Sequence, residues 1–206
     1  MSQVIELIEQ YHEMARYSTR SCAAIEEAAR TCYKSEHKKG VGSDRIMVSR
    51  LIARNHGAML EFDDVTVKIV TNRGVTHELV RHRLCSFAQE STRYVRYGKE
   101  PMMIIKPVWW NQSDDYQKRV FLLSCEQAAI AYKDLLDSGW TPQQAREVLP
   151  NALKTEIVMK ANIREWRHVF NLRTAKAAHP QMRSLMQGIL IDFKNRIPVV
   201  FDDIEG

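Results

Sequence analysis

Between residues 64 and 72, Val65, Val67 and Ile69 alternate with Thr66, Lys68 and Val70, which is the two-residue period of a half-buried strand. Asn72-Arg73-Gly74 breaks that period, and Val75, Leu79 and Val80 then fall at helical spacing as far as Arg83. A strand that turns straight into a helix fixes where the chain goes next. Arg81 and His82 lie near a helix end, and Arg83 to Ser91 becomes a loop held by that helix, the kind of scaffolded loop on which binding residues sit.

The residues so delivered, 81–97, read Arg-His-Arg-Leu-Cys-Ser-Phe-Ala-Gln-Glu-Ser-Thr-Arg-Tyr-Val-Arg-Tyr. Arginines and hydroxyls interleaved with aromatics make a place where an anionic, planar molecule can be both clamped and stacked. Small nucleotides have both properties, and so do nucleic acid strands, so density alone does not choose between them.

With 206 residues and no Pro/Gly/Ser-rich linker, the chain is expected to form one domain over 1–206 with a real core. The N-terminus lacks a basic stretch and an apolar stretch, and no segment approaches the ~18 apolar residues of a membrane helix. A cytoplasmic protein is expected, in the host cytoplasm if the source is viral. Cys22, Cys32, Cys85 and Cys125 include no C-x-x-C pair, which points to reduced thiols rather than disulfides or zinc. The net charge of +5 suits anionic small substrates as well as nucleic acid and decides nothing.

Elsewhere the spacing predicts helices over 3–17 and 21–33, then a loop with Gly40 and Gly42. Ser43-Asp44 is expected to cap a helix bearing Ile46, Met47, Leu51 and Ile52 that ends at Gly57. Residues 101–110 read as extended, Ser113 to Leu136 as a long helix stopped at Gly139, and Thr141-Pro142 as the cap of a short helix ending before Pro150. Thr155, Ile157 and Met159 alternate as a second strand. Asn162 with Glu165 is a capping pair for a helix to about Thr174, and His179-Pro180 opens a last helix with Met182, Leu185, Met186, Ile189, Leu190 and Phe193 at core spacing. The expected class is α+β, a small antiparallel or mixed sheet flanked by several helices.

His77-Glu78-Leu79-Val80-Arg81-His82 comes close to a zinc-binding H-E-x-x-H, but the second histidine is one residue late. Five helical steps place it roughly 140° around from the first, so the two imidazoles cannot share a metal as an i, i+4 pair does, and no metal is expected. Ser91 is a poor nucleophile without a base in reach; donating a hydrogen bond to a phosphate or base edge suits it better. A second cluster comprises Arg146 before Leu149-Pro150-Asn151, then Asn162, Arg164, His168 and Arg173. Helical spacing puts Arg164 and His168 on one face, near a helix start whose free backbone donors favour an anion.

The order Arg81-His82-Arg83, seven residues, Ser91, then Thr92-Arg93-Tyr94 resembles the signature of the flavin-dependent thymidylate synthases, and the similarity runs over roughly residues 20–190. The resemblance implies the fold of that family and the reductive methylation of dUMP to dTMP. FAD would be tightly bound, NADPH would be the source of hydride and methylenetetrahydrofolate the carbon donor. It implies dUMP contacts from Glu78, Leu79, Val80 and Arg81, from Gln89, Glu90, Ser91, Thr92 and Arg93, and from Arg146 and Arg173, the last activating the uracil. It implies flavin contacts from Arg81, His82, Arg83, Gln89, Asn162, Ile163, Arg164, His168 and His179, with His56 and the segment through Glu61 reaching FAD from another subunit of a homotetramer whose sites are shared. The chain departs from the family where a His is often found and Phe62 stands, and where some members have Asn and Glu and Ala88 and Gln89 stand. The rival expectation is a basic single-strand- or RNA-binding domain with Arg and Tyr at 93–97 as a stacking ledge, which predicts steep salt dependence and a colourless protein. On the favoured reading neither nucleic acid nor membrane is expected as a partner. An inactive relative kept as an assembly module is a third expectation, and the intact Arg81, Ser91, Arg146 and Arg173 argue against it.

Overall fold

The computed structural model describes residues 4–98 and 100–206. It is α+β, with strands β1 (Ile5–Ile8), β2 (Tyr11–Arg16), β3 (Asp64–Asn72), β4 (Ser86–Gln89), β5 (Met102–Ile105) and β6 (Lys154–Asn162). The helices are α1 (Ser21–Tyr33), α2 (Ser43–Ala53), α3 (Arg73–Leu79), α4 (Asp115–Asp137), α5 (Pro142–Ala145), α6 (Ile163–Arg173) and α7 (Pro180–Arg196). β1 pairs with β5, and β2, β3, β6 and β4 hydrogen-bond in that order. No helix among the described residues is long and apolar enough to cross a membrane.

Two compact units draw on alternating stretches of chain. The first takes the described part of Met1–Tyr11 with Ile69–Arg81 and Ala88–Ile157; the second takes His12–Lys68, His82–Phe87 and Val158–Gly206.

In the first unit β1 runs parallel to β5, with Ile5 opposite Met102 and Ile8 opposite Ile105. Cys125, Ala129, Tyr132 and Leu136, spaced as one face of α4, close over Ile5, Ile104 and Leu153 as a single apolar cluster. α4 begins at a reciprocal cap between Asp114 and Gln117 and runs to Asp137. Beyond it Gly139 sits at φ +100°, where a side chain is disfavoured.

In the second unit α1 packs on α2, and α6 and α7 meet around an aromatic box. Phe193 lies 5.0 Å between ring centres from each of Trp166, Phe170 and Phe201, and all four rings are fully buried. The indole Nε1 of Trp166 donates to the Val65 carbonyl at 2.9 Å, so the polar edge of the ring is satisfied where it is buried. The six core positions expected on the last helix are all buried on α7.

Three expectations are corrected. Residues 4–16 form β1 and β2, not a helix; Val4, Leu7, Ile8, Tyr11 and Met14 mimic a helical stripe, but the parallel ladder to β5 takes up the backbone of 5–8, and tertiary pairing overrides a local pattern. Gln3, where that helix was to begin, lies outside the described residues. Within 83–91 the chain is not all loop: β4 hydrogen-bonds to β6, and its burial alternates residue by residue. Ser43 is the first residue of α2 rather than its cap; Gly42, at φ +75°, takes the capping position without a side-chain bond, and the helix stops at Ala53, short of Gly57.

Phe193→Ala is expected to cost about 3–5 kcal/mol, because three rings lose their common neighbour and the site cannot collapse around them. Against a total stability of roughly 5–15 kcal/mol, urea denaturation should show a much lower midpoint with an unchanged slope.

Candidate active site

Most of the expected substrate contacts lie in the first unit. Asn72 ends β3 and starts α3, its Oδ1 accepting from the Val75 amide at 2.8 Å. The amides of Arg73 and Gly74 donate to the carbonyls of Leu153 and Asn151, each at 3.2 Å, which ties the start of α3 to the stretch after Pro150. That helix stops at Leu79, short of the expected Arg83, so Glu78 and Leu79 lie in its last turn and Val80 and Arg81 just beyond it. Leu79 is fully buried, so only its backbone remains for a ligand. Arg81 is exposed, with no side-chain partner among the described residues.

The Gln89 amide nitrogen donates to Thr76 Oγ1 at 2.9 Å and Thr155 Oγ1 at 3.3 Å. Glu90 is held on both sides: the Tyr97 hydroxyl donates to one oxygen, and Lys154 Nζ reaches the other at 3.1 Å while also binding Glu156 at 2.7 Å. Burial and the Glu90 carboxylate push the Tyr97 phenol far above its usual range. Glu90, Tyr97, Met102, Leu153 and Lys154 line a pocket of about 370 Å³. Ser91 opens a turn, its carbonyl accepting from the amides of Tyr94 and Val95 and its Oγ from the Arg93 amide at 3.3 Å. Thr92 is buried beneath it. Arg93 stacks over Tyr94 and reaches Gln143 at 3.4 Å, and Arg146 lies 3.5 Å from Glu147.

The second unit holds the other expected flavin contacts, Arg81 and Gln89 being in the first, and it holds Arg173; several of these residues lie on or against α6. Asn162 caps the helix, its Oδ1 accepting from the Glu165 amide at 2.8 Å, while the Ile163 amide donates to the Asp63 carbonyl at 3.0 Å. Ile163 is fully buried, leaving its backbone alone for a cofactor. Arg164 pairs with Glu61 at 2.6 Å and lies over Gly57, where a Cβ would come within 3.1 Å of its Nε. His56 stands exposed just before Gly57. His179 caps α7 through its side chain, and Arg83 is exposed.

His82 is 6% exposed. Its Nε2 accepts from Arg173 Nε at 3.0 Å, its ring meets His168 edge-on at 6.1 Å, and its Nδ1 lies 3.7 Å from Glu165 Oε1. The Cys85 thiol is 3.9 Å from that same oxygen. Burial, helped by Arg173 and His168, pulls the His82 pKa down to about 4; burial and then Glu165 push the Cys85 thiol up to about 12. A neutral imidazole thus lies against a guanidinium, and a protonated thiol against a carboxylate.

His82, Glu165 and His168 could together hold a metal, their donor atoms lying within 4.8 Å of one another. Arg173 already brings a positive charge to His82, which works against a cation there. The donor set fits a dinucleotide such as FAD better. Arg164 and Arg83 carry charge for a diphosphate, and His56 and His168 offer ring edges. Glu165 and Cys85 were missed in the sequence. The Asn162/Glu165 spacing suggested a reciprocal cap, but the carboxylate faces His82 and Cys85 instead.

Residues 13–199 match the family model described as thymidylate synthase complementing protein. Flavin-dependent thymidylate synthases of Corynebacterium diphtheriae and Geobacter sulfurreducens are each 32% identical to this chain, over 91% and 88% of its length and 81% of theirs. A crystal structure of the UMP/dUMP methylase PolB from Streptomyces cacaoi, bound with 5-Br dUMP, is similar with a TM-score of 0.81 at 27% identity, covering 96% of each chain.

The His82 environment fixes a pH dependence. An unfolded chain takes up a proton on this imidazole as pH falls below the ordinary 6.5, whereas the folded one resists until about 4. The contribution of His82 to stability is therefore complete above pH 6.5 and is lost between 6.5 and 4. His82→Gln, neutral at every pH, should lose less stability than the wild type when denaturation at pH 7.5 is compared with pH 4.5.

Proposed function

The chain belongs to the thymidylate synthase complementing protein family, and from that premise we propose that it is a flavin-dependent thymidylate synthase that converts dUMP to dTMP. The observation that carries this reading is the contact between the signature histidine and the distant arginine, His82 Nε2 to Arg173 Nε at 3.0 Å. It joins the histidine of the signature to the last residue of α6 through a single neutral ring.

The chemistry asks for a methyl group on C5 of uracil, a weakly nucleophilic carbon. Polarising N3–H and O2 pushes electron density into the ring, and a guanidinium fixed beside that edge stabilises the charge as it develops. Arg173 takes this role. A guanidinium has five N–H donors, and the bond to His82 uses one of them. A protonated His82 could not accept that bond, so the depressed pKa of this residue keeps Arg173 in place at neutral pH. In the first unit Arg81, Arg93 and Arg146 clamp the nucleotide phosphate and Ser91 donates to it, with Gln89 and the backbone of 78–80 meeting the pyrimidine. In the second, Arg83, Arg164, His56 and His168 hold the cofactor, with Asn162 keeping α6 in register.

FAD, when bound, supplies the hydride that it receives from NADPH. Methylenetetrahydrofolate contributes the one-carbon unit, and the C5 hydrogen of dUMP leaves as a proton. Net, dUMP, methylenetetrahydrofolate, NADPH and a proton give dTMP, tetrahydrofolate and NADP⁺. A homotetramer with shared sites and a cytoplasmic setting complete the proposal, and the two interleaved units are read as one catalytic domain over 1–206. Neither unit can be separated by a single cut in the chain.

Purified protein should show flavin absorbance and release tritium from C5-labelled dUMP when given NADPH and methylenetetrahydrofolate. No release from the wild type would overturn the proposal. Arg173→Ala should lower that rate by about 10²–10³-fold, and Arg173→Lys should not restore it, because a single ammonium cannot serve both His82 and a flat ring edge.

A further inference from the structure

We propose that Glu165 is a positioning residue for this reaction, fixing the Nδ1–H tautomer of His82 so that the ring presents its Nε2 lone pair to Arg173. The inference rests on the role given to Arg173 above and extends it to a residue that neither the signature nor the flavin contacts include.

Arginine has donors and no acceptor, so the 3.0 Å contact between Arg173 Nε and His82 Nε2 requires a lone pair on Nε2. In a neutral ring the proton is then on Nδ1. That nitrogen faces Glu165 Oε1 at 3.7 Å, beyond hydrogen-bond length but close enough for the carboxylate to favour an N–H dipole over a lone pair. Glu165 is 7% exposed and His82 6%, so solvent screens little of this attraction.

The other tautomer would set a lone pair against the carboxylate and two N–H groups against each other at Arg173. Both ends of the ring therefore select the same state. A carboxylate on one side of an imidazole and a cation on the other also polarise the ring toward Nε2, as carboxylates do behind metal-bound histidines.

The local structure keeps Glu165 on this task. Its backbone amide is the group that Asn162 caps, at 2.8 Å, so the helix start does not call on its side chain. The remaining contact of Oε1 is the Cys85 thiol at 3.9 Å, which burial keeps protonated and which donates weakly without adding charge. Carboxylate, neutral ring and guanidinium make a line from the helix start to Arg173.

The test is Glu165→Gln, which preserves size and the capped backbone but offers an amide that can donate to Nδ1. Solid-state ¹⁵N spectra of histidine-labelled holoenzyme, with His82 assigned by its loss in His82→Gln, should show Nδ1–H in the wild type and a shift toward Nε2–H in Glu165→Gln. Tritium release should fall in kcat by roughly 10- to 100-fold, more than KM for dUMP rises and with flavin content kept. In a His82→Gln background the same substitution should change kcat less than twofold, since the effect passes through that ring. An unchanged tautomer in Glu165→Gln, or an equal loss of kcat in both backgrounds, would overturn the proposal. A wild type that releases no tritium would refute the assigned activity instead, and the spectra would still decide the tautomer.

Discussion

Four buried rings hold the orientation of α6, and the placement of Arg164, His168 and Arg173 depends on that orientation. Trp166 and Phe170, one helical turn apart, face Phe193 of α7 and Phe201, and the indole is pinned to the Val65 carbonyl. A helix locked on one side by rings and by a hydrogen bond cannot roll. Arg164 and His168, four residues apart, are therefore held on its outer face, with Arg173 at its end. The electrostatic contribution of a site is greatest when its dipoles need not reorganise as charge develops, and the aromatic box supplies that rigidity to residues it does not touch.

The same helix treats its three arginines differently. Arg167 makes two bonds to Asp203, at 2.7 and 2.6 Å, and also reaches the Val200 carbonyl; its grip holds the Asp203 carboxyl below the usual range. It is a fastening for the C-terminal segment. Arg164 pairs with Glu61 at 2.6 Å with both side chains largely in solvent, an arrangement that contributes little net stability and is weakened by salt, so an anionic ligand can compete for it at small cost. Arg173 donates to a neutral ring, an acceptor that orients it.

The long periods of the chain were legible from the sequence because local and tertiary preferences agree there. β3 spans the expected 64–72, and α7 buries the six residues whose spacing marked it. The first strands were not legible, since the partner that makes 5–8 a strand lies nearly a hundred residues away at Met102–Ile105. β4 could have been found: Ser86, Phe87, Ala88 and Gln89 alternate in burial, but four residues amid arginines give too short a period to stand out. Within the site, the arginines, His82 and His168 were legible as chemistry. Glu165 was not, because three residues after Asn162 a glutamate has a ready local explanation, and only the third dimension shows its carboxylate turned away from the cap.

Gln89 shows how the surroundings of a side chain select an amide over a carboxylate. The Thr76 hydroxyl donates back to the Arg73 carbonyl at 3.1 Å, a local bond typical of threonine in a first helical turn. Its oxygen therefore presents a lone pair outward, and the Gln89 amide nitrogen meets it at 2.9 Å. A carboxylate in the same place would face that lone pair and be repelled, unless Thr76 gave up its bond to the start of α3. That start is also where Arg73 and Gly74 are tied to Leu153 and Asn151, so loosening it would disturb the helix that delivers Glu78 to Arg81. The amide at position 89 is thus matched to the threonine beside it.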